Sequence, residues 1–251
     1  SFTFHVTPIA DVATCSVTWH WTDAPAAIDA WQRWAPVVDQ RLVAELTLTA
    51  GSPGSIELAG WFTGTTTELR GLLAPLVSAV PPCSVHVGTT PYLDLVAPVA
   101  ASGSPRAHAL FKNTSTLAYD LLSASGIATL IDHLSMPLPP GVNQAQLFPF
   151  GGAIAAIDPA ATAFVHRRAL FDLQYQAYWW DPAHEADHVA WVRAFRLAML
   201  PHTHGAYVNY IDGDDVDWAV DYYGTNLAQL KVVKAAYDPD NVFTGPQSVP
   251  L

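Results

Sequence analysis

The segment "LFDLQYQAYWW" alternates in side-chain type from Leu170 to Trp180. Asp172, Gln174 and Gln176 fall on one face, and apolar side chains fall on the other. A period of two residues is the pattern of a β-strand with one face in a hydrophobic core. The stretches "SFTFHVTPI" at residues 1–9 and "CSVTWHWT" at 15–22 alternate in the same way. The chain is therefore predicted to build a sheet with one buried face.

Helical and strand-like patterns follow one another in the first third of the chain. The elements predicted there are a helix at 26–38 with Asp23 as its N-cap, strands at 42–50 and 55–63, and a helix from about Thr66 that ends at Pro81. The order strand, helix, strand, strand, helix is typical of an α+β fold.

The middle of the chain is less regular. Residues 98–107, "PVAASGSPRA", are predicted to form a loop because they are rich in Ser, Gly and Pro. We expect one or two helices within 111–136. In 145–157, "AQLFPFGGAIAAI", we expect a strand, a Gly-Gly turn and a second strand. Residues 183–201 have the spacing of a further helix.

Composition excludes some classes of function. The 251 residues include 22 acidic and 11 basic side chains, a formal charge of -11, and no basic cluster, so a nucleic acid is not an expected partner. No apolar run is long enough to span a membrane and no signal peptide is recognisable, so we expect a soluble chain, either cytoplasmic or secreted. Cys15 and Cys83 permit one disulfide, but free thiols are favoured.

Two motifs suggest metals. The acidic run "DGDDVD" at 212–217 lacks the glycine and glutamate that an EF-hand loop requires, so a solvated loop is favoured over a calcium site. "HEADH" at 184–188 has the histidine spacing of a zinc-binding helix, but His184 is expected in an exposed first turn without a third ligand. An enzyme that binds metal through His184, His188 and the acidic loop stays open as an alternative.

The remaining candidate is the polar strand face together with "YVNY" at residues 207–210. No Walker loop, dinucleotide fingerprint or hydrolase elbow appears in the sequence. A phenol that shares its proton with a carboxylate can act as a general base toward an alcohol or amine. A half-buried sheet face with satisfied polar groups would give the same pattern, so spacing leaves both interpretations open.

The end of the chain carries a long composite motif. It consists of "YxNY" at 207–210, "YYGxN" at 222–226 and "LxxVKxxYDPxNVFxxxQSxP" at 230–250. These parts resemble the C-terminal signature of the berberine-bridge-enzyme-like branch of the vanillyl-alcohol-oxidase flavoprotein superfamily. "FPFGGAIAAIDPAATAFVHR" at 148–167 resembles another family segment, although Val165 replaces the usual proline. "SFTFHVTP" resembles a further one, so the resemblance covers essentially the whole chain.

The resemblance implies the C-terminal half of such an enzyme. It implies a substrate-binding α+β domain at 1–206, with a large antiparallel sheet flanked by helices, and a segment at 207–251 that returns to an FAD-binding domain absent from this chain. FAD, covalently tethered or not, would be held with an N-terminal domain or subunit as partner. The charged fraction of only 13% fits an apolar face that such a partner covers.

The resemblance also implies a mechanism. Tyr210, polarised by Asp172, would remove a proton from an alcohol or amine of a sugar or natural product while a hydride passes to flavin N5. Dioxygen or another acceptor would then take the electrons. The other residues singled out are Asn209 and Tyr207 near the flavin, and Gln174, Gln176 and Phe148 near the substrate. The alternative from another class is a flavin-free binding or scaffold module derived from that family.

Overall fold

The structure, a computed structural model, describes residues 3, 4, 6, 8, 9, 11–100 and 108–251, with the backbone alone described at 98–100. The strands are β1 (Asp11–Trp19), β2 (Leu42–Thr49), β3 (Ser55–Phe62), β4 (Ser84–Pro91), β5 (Leu110–Ala118), β6 (Val142–Pro149) and β7 (Phe171–Trp179). The helices are α1 (Ala24–Trp34), α2 (Thr66–Ala79), α3 (Tyr92–Ala100), α4 (Ala124–Leu134), α5 (Gly152–Ala155), α6 (Glu185–Met199), α7 (Trp218–Tyr223) and α8 (Leu227–Tyr237). In these described ranges the strands form one antiparallel sheet in the order β4-β1-β3-β2-β6-β7-β5.

Alternating side chains give the sheet two different faces. Along residues 42–49 of β2, every second side chain is buried, and those between, such as Glu45, are partly exposed. The helices α1, α2, α4 and α6 pack on the buried face. Trp31 of α1 lies in this core, where its Nε1 donates to the carbonyl oxygen of Ala44 at 3.0 Å and its ring meets Phe171 edge-on. The opposite face keeps its polar side chains.

The α+β prediction is confirmed, and so is a large antiparallel sheet flanked by helices. Individual predictions that hold to within a few residues are the strands at 42–50, 55–63 and 170–180 and the helices at 26–38, from Thr66 and at 183–201. Asp23 occupies the N-cap position of α1, but its side chain makes no capping hydrogen bond.

Two predictions in the middle of the chain are wrong. Within 111–136 the structure has one helix, α4 at Ala124–Leu134, as expected, but residues 110–118 form β5 rather than a second helix. The sequence hides this strand because residues 114–118 are buried on both faces and do not alternate. Residues 152–155 form a short helix rather than a second strand. Gly152 has a φ of 56°, and a Cβ at Gly151 would lie 1.8 Å from the carbonyl oxygen of Pro36, so the Gly-Gly pair turns the chain where other residues would clash.

Three other regions differ from expectation. The described residues among 1–9 lie in no strand, and Phe4 and Val6 are exposed, so the first predicted strand is wrong there; the rest of that stretch lies outside the described residues. Of the loop predicted at 98–107, residues 98–100 end α3 and 101–107 lie outside the described part. The sequence patterns predicted neither β4 nor α3.

The structure also describes the two cysteines and the lengths of the helices. Cys15 is buried and Cys83 is exposed, and both are free thiols in the described ranges. Burial raises the pKa of the Cys15 thiol to about 11. None of the helices within the described residues is both long and apolar enough to cross a membrane.

Gln32 connects α1 to the loop that leads into α4. Its side chain is 1% exposed, its Nε2 donates to the carbonyl oxygen of Leu122 at 3.1 Å, and its Oε1 accepts from the Leu122 N–H at 2.8 Å. One buried amide side chain therefore satisfies both backbone groups of a loop residue.

Replacing Gln32 by Met should lower the free energy of unfolding by roughly 3 kcal/mol, because it leaves two buried backbone groups without partners at about 1–3 kcal/mol each. Urea denaturation followed by circular dichroism measures this. Arg33→Met is the matched control on the same helix, since Arg33 makes an exposed ion pair with Asp29, and it should leave the unfolding midpoint nearly unchanged. Equal losses in the two variants would show that the contact with Leu122 adds no stability.

Candidate active site

A cavity of about 560 Å³ opens on the polar face of the sheet, where β6 ends and β7 begins. Polar side chains of Asp172, Asn209 and Arg167 reach it. Aromatic walls with a few polar groups are typical of small-molecule sites. The aromatic side chains that line it in the described part of the chain are Phe148, Phe150, Phe164, Tyr207, Tyr210 and Tyr223.

Asp172 is the most deeply buried polar group of the cavity. It is 1% exposed, and neither carboxyl oxygen has a hydrogen-bond partner among the described residues. Burial raises the pKa of Asp172 well above its usual range. The nearby Phe148 backbone N–H partly offsets this rise, although its geometry falls short of a hydrogen bond, and the Glu45 carboxylate adds to the rise. A buried carboxyl without hydrogen-bond partners destabilises the fold. Its presence here therefore points to a functional role for Asp172.

Tyr210 reaches the same cavity from the loop after α6. The loop lies against β5, where the Tyr207 N–H donates to the Ser115 hydroxyl at 2.9 Å, and the Tyr210 N–H donates to the Tyr207 carbonyl oxygen at 2.9 Å to close a turn. The pKa of Tyr210 is raised above its usual range, mainly by burial and next by the charge of Asp172. These two described residues thus share the cavity and interact electrostatically without a direct hydrogen bond.

Tyr207 and Asn209 form the rim of the cavity beside Tyr210. The exposed amide of Asn209 donates to the Tyr207 hydroxyl at 2.7 Å. The rings of Tyr207 and Tyr210 meet edge to face with centroids 5.0 Å apart. The three side chains of the "YVNY" segment therefore hold one another at the cavity mouth.

The predicted glutamines lie farther along the same sheet face, and the described cavity lining does not include them. The side chain of Gln176 accepts from the Tyr178 hydroxyl at 2.8 Å and donates to Gln146, which in turn donates to Glu45. Gln174 lies between this network and the cavity, opposite Gln146 in the register of β6 and β7. Of the three residues expected near a substrate, only Phe148 lines the cavity itself.

The acidic run at 212–217 is anchored to the fold, so the expectation of a solvated loop is wrong for its buried members. Lys112 of β5 pairs with Asp212 and with Asp214, and Arg193 of α6 binds Asp214 through two contacts of 2.7 Å. These cations hold the pKa of Asp214 below its usual range, with Arg193 contributing most. The remaining contacts run from Arg196 to Asp215 at 3.0 Å and to Asp221 at 2.6 Å.

The histidines of "HEADH" take structural positions. His188 is fully buried, stacks on Trp179 with centroids 5.2 Å apart, and bonds through Nδ1 to Asn143 Oδ1 at 3.0 Å. Burial is the main cause that lowers the pKa of His188. Among the described residues, no three His, Cys, Asp or Glu side chains are grouped as a metal ion would require.

Several cavity residues escaped the sequence patterns. Phe150 and Phe164 meet edge to face at 5.9 Å, and the Arg167 guanidinium lies over the Phe164 ring at 4.9 Å. Tyr223 comes from α7. The segments at 148–150 and 164–167 carry a family resemblance, but no local periodicity directs their side chains toward Asp172.

The chain is similar to known proteins along its whole length. The family model for berberine and berberine-like proteins matches residues 206–250. The uncharacterized FAD-linked oxidoreductase YgaK of Bacillus subtilis (strain 168) is 34% identical over 250 residues, which cover 100% of this chain and 55% of the relative. The chitooligosaccharide oxidase of Gibberella zeae is 28% identical over 254 residues, covering 93% of this chain and 51% of the relative.

Solved structures give the same result. Aclacinomycin oxidoreductase superposes with a TM-score of 0.83 at 25% identity, over 97% of this chain and 56% of that one. The chain spans about half the length of the curated relatives it matches. The family match at its end includes Tyr207, Asn209 and Tyr210, which the fold brings to the cavity. The chain belongs to the berberine-bridge-enzyme-like family of FAD-linked oxidoreductases.

Proposed function

We propose that this chain forms the substrate-binding and proton-accepting part of an FAD-dependent oxidoreductase that oxidises an alcohol or amine carbon by hydride transfer to flavin N5. The observation that supports it best is that Tyr210 shares a cavity with Asp172, whose carboxyl oxygens have no partner in the described ranges. A buried carboxyl with a perturbed pKa is a common feature of catalytic sites.

The cavity residues fit an aromatic cofactor. Aromatic edges and faces line the space, and the Asn209 amide is exposed at its mouth. The Arg167 Nε is buried and has no partner in the part of the chain that the structure describes, so it can donate to a ligand. Asn209 and Tyr207 are the residues we assign to FAD contact. FAD, when bound, supplies the hydride acceptor, and any covalent tether comes from residues outside this chain.

Tyr210 and Asp172 act as a pair in this proposal. Because the pKa of Tyr210 is raised, its phenol keeps its proton at neutral pH and does not start as a phenolate. It accepts the substrate's proton as its own proton moves to Asp172, whose raised pKa makes its carboxylate a stronger base than an exposed aspartate. A hydroxyl or water between the two side chains completes the path. Proton loss thus accompanies hydride loss, and no alkoxide accumulates in a desolvated cavity.

We assign the substrate to the sugars or glycosylated natural products. Relatives are named chitooligosaccharide oxidase, hexose oxidase and aclacinomycin-N/aclacinomycin-A oxidase. Aromatic walls suit the apolar face of a sugar ring. We assign Phe148 to contact with the reacting ring and Gln174 to a part of the substrate that extends along the sheet face. Gln176, which is 2% exposed and bonded to Tyr178 and Gln146, is assigned to support this polar row from below. Dioxygen is the electron acceptor we assign, since these relatives are named oxidases.

The proposed partner is an FAD-binding N-terminal domain or subunit. Large apolar side chains are exposed along the C-terminal part of the chain, and exposed apolar surface favours a partner that covers it. We accordingly assign residues 1–206 to the substrate-binding domain and 207–251 to the segment that contacts the partner. The exposed side chains are Ile211, Val216, Val220, Val232, Tyr237, Val242 and Phe243.

Tyr210→Phe and Asp172→Asn should each lower the rate of flavin reduction by about 10²–10⁴-fold, the usual contribution of a general base. The measurement is anaerobic stopped-flow absorbance of the FAD-loaded protein, in which this chain is assembled with its FAD-binding domain or subunit, with glucose, chitooligosaccharides and aromatic glycosides as probes. In the parent protein the rate should rise with pH through the raised pKa of Asp172, since only the carboxylate accepts a proton. This rise of the rate with pH should be absent in Asp172→Asn.

The control is Tyr92→Phe, which removes a phenol from α3, beside the opposite edge strand β4. It should leave flavin reduction unchanged. A parent-like rate in Tyr210→Phe would overturn the base assignment. Protein without flavin absorbance that still binds a sugar would instead favour the flavin-free binding module.

Asp172→Asn should also change stability in a pH-dependent way. The folded-state pKa of Asp172 lies above its unfolded value, so the folded protein binds the extra proton between the two, and the free energy of unfolding falls as pH rises through this window. The Asn variant removes that loss, so its melting temperature should exceed the parent's at pH 7 and match it below about pH 4. Differential scanning fluorimetry from pH 3.5 to 8 tests this, and a constant offset at every pH would contradict it.

A further inference from the structure

Three residues close a ring of hydrogen bonds around the backbone of Asp212. The Asp212 N–H donates to the Tyr222 hydroxyl at 3.0 Å, and that hydroxyl donates to Gln247 Oε1 at 3.2 Å. Gln247 Nε2 then donates to the Asp212 carbonyl oxygen at 2.7 Å. The ring thus consists of the Tyr222 hydroxyl, the Gln247 amide and the two backbone groups of Asp212, and we call it the Asp212 clamp.

The clamp is buried at its centre and joins distant parts of the chain. Tyr222 of α7 is 1% exposed and Asp212 is 5% exposed. The Asp212 side chain is held separately, by Lys112 of β5 and by the Asp214 N–H at 3.0 Å. Gln247 stands in the C-terminal tail, 35 positions after Asp212. Backbone and side chain of one residue are therefore fixed by a helix, the edge strand and the tail.

The clamp lies two residues from Tyr210. Two residues of chain span at most about 7 Å, so the position of Asp212 limits where the Tyr210 backbone can lie. The other end of the segment is pinned where the Tyr207 N–H meets the Ser115 hydroxyl at 2.9 Å. Ile211, between Tyr210 and the clamp, is 64% exposed and contributes no core packing that would hold the segment in its place.

We propose that Tyr222 and Gln247 are positioning residues that set the Tyr210 hydroxyl in the cavity, so that seating of the C-terminal tail aligns the catalytic base. The part of this statement that concerns catalysis rests on the proposed function; the part that concerns position does not. Loss of the Tyr222 hydroxyl leaves the Asp212 N–H and Gln247 Oε1 without this partner, and loss of the Gln247 amide removes one of the two donors to the Asp212 carbonyl oxygen, the other being the Asp215 N–H at 3.1 Å. Either change loosens the ring and lets the segment relax. The misplaced phenol loses alignment with the substrate's proton while the substrate still binds.

Tyr222→Phe and Gln247→Glu test the position directly. The protein is labelled with 3-fluorotyrosine, loaded with FAD, and its ¹⁹F NMR resonances are recorded, with the Tyr210 signal identified by its loss in Tyr210→Phe. Tyr222→Phe removes the hydroxyl, and Gln247→Glu keeps the length of the side chain but removes the amide donor. Both should shift or broaden the Tyr210 signal. Tyr92→Phe, which removes a phenol from α3 beside the opposite edge strand β4, is the control and should leave it unchanged.

Kinetics of the same variants test the consequence. With the best sugar of the probe panel, each clamp variant should lower kcat about tenfold with KM changed less than twofold, the size expected from one lost hydrogen-bonded contact. In a Tyr210→Phe background, Tyr222→Phe should have no further effect, because both changes act through the same hydroxyl.

The outcomes separate the two proposals. Unshifted Tyr210 signals in both clamp variants would overturn the positioning role. Tyr222→Phe that slows the reaction equally with and without the Tyr210 hydroxyl would also overturn it, and would indicate a general loss of structure. Shifted signals together with a Tyr210→Phe variant of unchanged rate would keep the clamp but overturn the proposed base.

Discussion

Desolvation of the Asp172 carboxyl is the constraint on which the rest of the site depends. β7 supplies this residue from a position where it is hydrogen-bonded to β5 and β6 on both sides, and its side chains at 171–177 are all buried. Such a strand holds the carboxyl in its buried position. The unfavourable term is offset by the large apolar core on the other face of the sheet, so the fold itself keeps the carboxyl in its high-pKa state.

The two faces of the sheet carry different kinds of side chain. One face packs Trp31, Phe171 and the helices into a core, and the other face carries a hydrogen-bonded row of polar side chains that ends at the cavity. Because successive residues of a strand point to opposite faces, the same nine residues of β7 serve both purposes. A substitution on one face therefore affects folding, while its sequence neighbour affects the site.

How much of this the sequence predicts depends on whether the signal is local. Alternation in 170–180 identified β7 and its polar face, because one face is apolar along the whole strand. It could not identify β5, where the C-terminal loop covers the second face and removes the alternation. The partners of the acidic run were also hidden, since Lys112 lies 100 positions before Asp212. The family resemblance assigned Tyr210 its role. No local pattern indicates that Phe150 and Phe164 line the same cavity.

The acidic run at 212–217, the C-terminal tail and the segment at 207–210 are connected through Asp212. Lys112 and Arg193 neutralise the aspartates, which allows Asp212 to be buried, and its buried backbone is then available to Tyr222 and Gln247. Without the cations, burial of Asp212 would carry an uncompensated charge and the ring would have no fixed centre. In the proposed clamp, this charge neutralisation supports the placement of Tyr210 through Asp212. The dense aspartates thus have an anchoring role.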